Sequence, residues 1–434
     1  MERVLELAKK VADEAEVFLA SVTETPVGFE ANRLKRLETR ESISLSLRII
    51  KGGRVGFAAT TKLSDPQTLV QMAVDTARFG VEARFTLPSQ QAYPQVEVYD
   101  PEVETFPIED MVELGNSLMA KVRAHTPELL CDAWLTKSVG RVRILNSRGG
   151  EASYRKSFFT IGMVGNLIRG TDMLFVGEMD SSCRPITDLT NLSDAVIQQI
   201  ELARNTASVS SGQLPVVFTA HGVRSAFFTP LALAFNGRVV VQGASPLVGN
   251  EGKQLFDKRL SLWDDATVDY RPASRLCDDE GVPSQKTALI EKGVVTNFLY
   301  DLQTAALAGA RSTGSGDRAH GGMPSPSVSA LIIEQGDTPF EDMIRDMKEG
   351  LVVEQLIGAE QGNVLGGEFS GNVLLGYKVE RGEIVGRVKD TMVSGNIYHA
   401  LKELNAIGHE ARWVGGILRT PNIYCSRLAV ASKG

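Results

Sequence analysis

The chain has 434 residues, of which 43% are hydrophobic and 23% charged, with a formal net charge of -7. That length and apolar content can bury a sizeable core in two domains or one large one, which excludes a disordered chain. No Lys/Arg-rich run or basic helix supplies the phosphate-neutralising surface that sequence-independent nucleic-acid binding needs.

Val4, Leu7, Val11, Ala15 and Phe18 recur three or four positions apart and predict an amphipathic helix over residues 2–19, with no apolar signal core before it. No later run approaches the ~18 uninterrupted apolar residues of a spanning helix, so the expectation is a soluble cytoplasmic protein. Ile43, Leu45, Leu47 and Ile49 alternate with polar partners, Lys51-Gly52-Gly53-Arg54 turns, and Val55 to Thr60 continues as the second arm of a half-buried hairpin. Ser64-Asp65-Pro66 caps a helix running to about Phe79. The proline-punctuated stretch 88–107 reads as an extended surface connection, followed by a helix from Ile108 to about Ala124. Strands are predicted near 129–136, 139–146, 152–165 and 172–180, and a helix over about 193–207. The small polar run Ser208-Val209-Ser210-Ser211-Gly212 then divides an N-terminal domain, residues 1–210, from a C-terminal domain, residues 211–434.

The second domain is strand-dominated. Leu214 to Thr219 is a short apolar strand, 222–235 a largely apolar segment interrupted by Pro230, and further strands are expected around 287–300, 327–334, 350–388 and 422–430, with helices near 340–348 and 397–403. The fold class is therefore α+β, an N-terminal mixed α/β domain followed by a strand-rich, curved or barrel-like C-terminal domain.

Conventional catalytic groupings are missing from the sequence. The five histidines, His125, His221, His320, His399 and His409, include no pair at helical ligand spacing, and neither HExxH nor HExxxH occurs. The four cysteines, Cys131, Cys183, Cys277 and Cys425, show no CxxC spacing and read as free, mostly buried thiols. Ser42, Ser225 and Ser370 lack the G-x-S-x-G context of a hydrolase nucleophile. Two Gly-rich segments offer backbone instead. Gly314 to Gly322, with Arg318 and His320, either cradles a carboxylate or peptide or is a flexible surface loop. Gly358 to Gly371, with Gly366, Gly367 and Ser370, is either a backbone-lined groove or a bulged sheet corner. Arg318, His320, Gly366, Gly367 and Ser370 are thus the peptide-binding candidates.

The run Gly350–Gly371, then Gly376-Tyr377, Gly382-Glu383 and Ser394-Gly395-Asn396, resembles the C-terminal signature of the PmbA/TldD family. Gly52 to Ala58, Arg311 to Gly314 and Glu334-Gln335-Gly336-Asp337 agree with it in order, so the resemblance spans nearly the whole chain. In the metal-bearing TldD branch it implies HExxxH on a helix after the strand that opens the C-terminal domain, two imidazoles gripping zinc while the Glu handles water's proton, and a further Cys near the C-terminus. Here the corresponding positions hold Phe228, Thr229 and Leu233, and the C-terminal segment reads Asn405 to Glu410 with no Cys. The likeness is therefore to the PmbA branch, also called TldE, with no metal and no catalytic residue of its own.

That resemblance implies a non-catalytic subunit that pairs with a zinc-bearing TldD-like subunit in a cytoplasmic metallopeptidase for unfolded or modified peptides. This chain would close a chamber and bind substrate through main-chain hydrogen bonds. The alternatives are a homodimeric peptide- or ligand-binding protein and a stand-alone peptidase with an unrecognised site. Family naming also mentions modulation of DNA gyrase, to which the acidic composition lends no direct DNA contact.

Overall fold

The computed structural model describes residues 1–433, apart from the side chain of His320. Apart from the small pair Gly316–Asp317 and Ser325–Pro326, its strands fall into two large sheets, the first built from residues 14–182 and the second from residues 212–432. No helix among the described residues is long and apolar enough to cross a membrane.

The first sheet is antiparallel throughout, in the order Arg54–Thr60, Arg40–Lys51, Glu14–Glu30, Leu130–Asn146, Glu151–Arg169, Asp172–Ser182. The predicted hairpin 43–60 and the Asp65-capped helix form as expected, the helix spanning Pro66–Ala77. The long N-terminal helix does not. It stops at Ala8, and Glu14–Glu30 is a strand. Ala15 and Val17 face one buried cluster and Phe18 another, so both faces of the strand are covered; the helical spacing of Ala15 and Phe18 after Val11 is a coincidence of a strand buried on two sides. The predicted strand pair 129–136 and 139–146 is a single strand, Leu130–Asn146, and the following helix is Thr190–Leu202. The 88–107 connection is less superficial than its prolines imply, because Val96 and Val98 are buried and Val98 accepts a backbone hydrogen bond from Ser157 at 3.0 Å.

In the second sheet five strands close on themselves. Gly212–Phe218 pairs with Glu349–Ile357, that strand with Glu368–Glu380, then Thr391–Asn396, then Leu418–Ser432, which pairs back to Gly212–Phe218. Closure removes the free edges that an open sheet of this size would expose. Strand Leu404–Val414, which carries the 405–410 segment and had no strand signal, pairs outside this ring.

The strands of the ring bury both sides. Val216 and Phe218 face the cluster that includes Val223, Phe227 and Leu231, while Val217 between them faces the core of the N-terminal half; Val353 and Val352 divide the same way. Successive strand residues point to opposite faces, so a strand packed on two sides must be apolar at every position. That is the physical origin of the unbroken runs Val216-Val217-Phe218 and Leu351-Val352-Val353.

Asp264, in strand Leu262–Asp265, is 3% exposed and accepts from the Ser329 amide and hydroxyl, both at 2.7 Å. Burial pushes its pKa from an ordinary 3.8 up to about 6 despite those bonds. A raised carboxyl pKa means folding favours the protonated form: the stabilisation is full below the unfolded value and is lost as pH rises through about 6. D264N can keep both contacts without titrating. It is expected to gain stability relative to the parent, on the order of 2–3 kcal/mol, between pH 4 and pH 8. Urea midpoints of both proteins across that range check this, and parallel pH profiles would refute it.

Candidate functional site

The strand Gly212–Phe218 runs into two short helices, Ala220–Ala226 and Phe228–Ala234, joined at Phe227. Thr219 caps the first through its side chain, and Pro230 lies in the first turn of the second, where its missing N–H leaves no helical bond unmade. Gly222 lets the first helix press on the neighbouring strand, since a Cβ there would lie 2.3 Å from the Val353 carbonyl oxygen. This close approach sets the helix beside the strand end Glu354–Ile357 and the turn Gly358–Gln361.

Between those elements and the N-terminal sheet lies a cleft of about 730 Å³. Trp134, Met163, Val164 and Phe175 form its wall on the N-terminal side; His221, Arg224, Ser225, Glu354, Ile357 and Glu360 line the other. Mostly apolar walls with a few charged groups are the usual composition of a ligand site. Glu178 bridges the two halves of the molecule here, its carboxylate 2.8 Å from His221 Nε2 and 2.9 Å from Arg412. Burial works against the charged form of both residues. For His221 the hydrogen bond and charge of Glu178 outweigh it and raise the pKa, and for Glu178 the His221 bond and the two cations lower it. Each partner thus favours the charged form of the other.

The positions where the resemblance implies metal ligands sit on the second helix. Phe228 is buried under the Arg224 guanidinium, 4.0 Å from its ring centre, and Thr229 donates its hydroxyl to Glu360. Phe228 and Leu233 have no lone pair to give a cation, and a single hydroxyl does not make a zinc site. Among the described residues no group of three or more His, Cys, Asp and Glu could hold a metal ion. The residues present do not fit the zinc of the metal-bearing branch.

The peptide-binding candidates do not converge. The Arg318 side chain is 0% exposed, paired with Glu16, and donates to the carbonyls of Asp279 at 3.1 Å and Gly322 at 3.2 Å. It ties the two halves of the chain together internally. The His320 side chain lies outside the described residues. Gly366 and Gly367 form a turn in which Asn363 accepts from the Gly366 amide at 3.0 Å; Gly367 has φ +83°, and a Cβ there would meet the Tyr398 ring at 2.5 Å. Tyr398 in turn donates to Leu365 at 3.0 Å, which secures that turn. Ser370 is exposed, its hydroxyl 3.3 Å from the Met392 sulfur. None of Arg318, Gly366, Gly367 and Ser370 lines the cleft. The residues that do, His221, Arg224, Glu178 and Glu354, were not candidates in the sequence. His221, Arg224 and Phe228 follow one another at helical spacing, which is a legible stripe, but Glu178 and Glu354 join it only through tertiary packing.

Residues 211–432 match the family domain described as the PmbA/TldA metallopeptidase C-terminal domain, and residues 15–78 match PmbA/TldA metallopeptidase domain 1. An uncharacterized protein of Methanocaldococcus jannaschii is 25% identical over 409 residues, covering 93% of each chain. A metalloprotease PmbA homolog of Haemophilus influenzae is 24% identical, covering 99% of this chain and 94% of its own. The fold is shared with TldE from Thermococcus kodakarensis, at a TM-score of 0.89 and 23% identity over 100% of both chains. It is shared equally with a Thermotoga maritima protein described as a candidate modulator of a DNA gyrase, at a TM-score of 0.90 and 21% identity over 99% of each.

Proposed function

Because the chain belongs to the PmbA/TldD metallopeptidase family, we infer that it is a metal-free, TldE-like subunit that pairs with a zinc-bearing relative and handles peptide substrates while the partner hydrolyses them. The observation that carries this reading is the helix Phe228–Ala234. It touches the lining of a ligand-sized cleft through Arg224 and Glu360, yet offers Phe228, Thr229 and Leu233 at the positions where the resemblance implies metal donors. The cleft is where the peptide would lie, and the cytoplasm is where the pair would work.

An exposed apolar sheet face supports the pairing. Leu130, Val164, Ile168, Met173 and Phe175 are 46%, 45%, 50%, 51% and 37% exposed, and cross-strand register puts them on one face of the last three strands of the N-terminal sheet. The alternate residues Cys131, Met163, Leu167, Leu174 and Val176 are buried, so both sides of this sheet corner are apolar. A face of this kind on a soluble chain marks a contact surface. Val164 and Phe175 also line the cleft, so a subunit seated on the face would roof it.

Co-expression with an HExxxH-bearing family member tests the reading. The two chains are expected to purify together, and the double variant M173D/F175D is expected to weaken the pair at least about tenfold, because two charges would be buried in the apolar centre of the contact. A stable homodimer indifferent to the metal-bearing relative would overturn the heteromeric reading in favour of self-pairing.

A further inference from the structure

Five charged side chains line the cleft: Glu178, Glu354 and Glu360, with His221 and Arg224. Three of them are bound within the protein, Glu178 by His221 and Arg412, and Glu360 by Thr229. The other two are not. Among the described residues neither Glu354 nor Arg224 has a side-chain hydrogen bond or an ion pair; Arg224 only rides over the Phe228 ring, and Glu354 lies half-buried on the strand beside Val353. The same cleft offers Trp134, Phe175 and Ile357 as an apolar wall, and Ile357 is 56% exposed.

A charge held against apolar walls without a partner is costly, and a ligand group of opposite sign recovers that cost on binding. The His221 ring feels the charge of Glu354 but makes its close pair with Glu178, as does Arg412, so neither forms a contact ion pair with Glu354. For Arg224, Glu360 is turned to Thr229. Burial lowers the Arg224 pKa and outweighs the opposing charge of nearby Glu360, which makes no hydrogen bond to the guanidinium.

The geometry points to a charge-selecting peptide cleft, in which Glu354 receives a cationic group of the substrate, Arg224 an acceptor oxygen of the same peptide, and the Trp134–Phe175–Ile357 wall an adjacent large apolar side chain. The ligand class is a flexible peptide with a Lys or Arg side chain, or a free N-terminal ammonium, next to an aromatic or aliphatic residue. This rests on the peptide-handling reading above and adds the selectivity of the site to it.

Fluorescence anisotropy with the full chain, alone and paired with its metal-bearing relative, tests the assignment. The probes are heptapeptides carrying a Lys-Phe core, a Gln-Phe core or a Glu-Phe core, each with a free or acetylated N-terminus. The parent protein is expected to prefer Lys-Phe over Gln-Phe about tenfold, with the preference shrinking as salt is raised. If the N-terminal ammonium is the group received, acetylation and not the Lys-to-Gln change weakens binding about tenfold. E354Q is expected to bring the basic peptide down to the affinity of the neutral one, and E354K to favour Glu-Phe. A charge preference that survives in E354Q and E354K, or a parent protein indifferent both to the Lys-to-Gln change and to acetylation, overturns the selectivity while leaving peptide handling in place. Failure of every peptide to bind, with the chain alone and in the pair, overturns both readings. Circular dichroism of the two variants separates loss of binding from loss of fold.

Discussion

Peptide cleavage is expected to be undetectable with the isolated chain, to appear when it is combined with a zinc-bearing relative, and to vanish on chelation. A zinc peptidase depends on a metal that lowers the pKa of its bound water to about 7, and an aromatic ring and an aliphatic chain at the ligand positions leave nothing to hold that metal. The deficit is too deep for one substitution to repair. T229E adds a carboxylate, yet Phe228 and Leu233 remain, and the new charge would face Glu360, which now accepts from Thr229. The isolated parent and T229E should both be inactive. Elemental analysis and a peptide-cleavage assay check this together, and stoichiometric transition metal with chelator-sensitive activity in the isolated chain would sink the metal-free assignment.

The second large effect concerns the charges buried where the two halves of the chain meet. Glu16 and Arg48 come from the N-terminal sheet, Glu280 and Arg318 from the C-terminal half, and their side chains are 0%, 3%, 0% and 0% exposed. Arg48 lies 3.1 Å from Glu16 and 2.5 Å from Glu280, and Arg318 pairs with Glu16 on its other side. Removing Arg318 leaves Arg48 alone to balance two buried carboxylates, so R318M is expected to cost about 3–5 kcal/mol of folding stability. By contrast, removing Arg3 from its exposed pair with Glu6 should cost no more than about 1 kcal/mol. The double variant E16Q/R318M should recover part of the loss, because it removes the excess buried negative charge and leaves Arg48 with Glu280. Urea unfolding of the three variants measures this, and a loss below about 1 kcal/mol in R318M would show that water or rearrangement satisfies Glu16.

Arg318 also shows how a sequence reading can find an unusual residue and mistake its purpose. A glycine-rich stretch around an arginine has the local chemistry of an anion cradle, and nothing within nine residues reveals that Glu16, some 300 positions earlier, occupies it. The same limit hid the cleft. His221 was visible as a lone histidine, but Glu178 lies 43 positions away on another sheet, and only the packing of that sheet against the helix brings them to 2.8 Å. The N-terminal strand Glu14–Glu30 was misread for a related reason: burial on both faces erases the alternation by which a half-exposed strand announces itself.

What could be read along the chain was whatever depends on neighbours in sequence. The hairpin at Lys51–Arg54, the Asp65 cap and the turn at Arg381-Gly382 follow from local backbone preference. The want of metal ligands follows from side-chain identity, because no fold can give phenylalanine or leucine a lone pair for zinc. The strand pairings that close the barrel-like sheet into a five-stranded ring, the buried ion network and, among the described residues, the lack of a side-chain partner for Glu354 and Arg224 came instead from residues far apart in the chain. Their meaning depends on register, burial and charge pairing, which take values only when both partners have been placed in space.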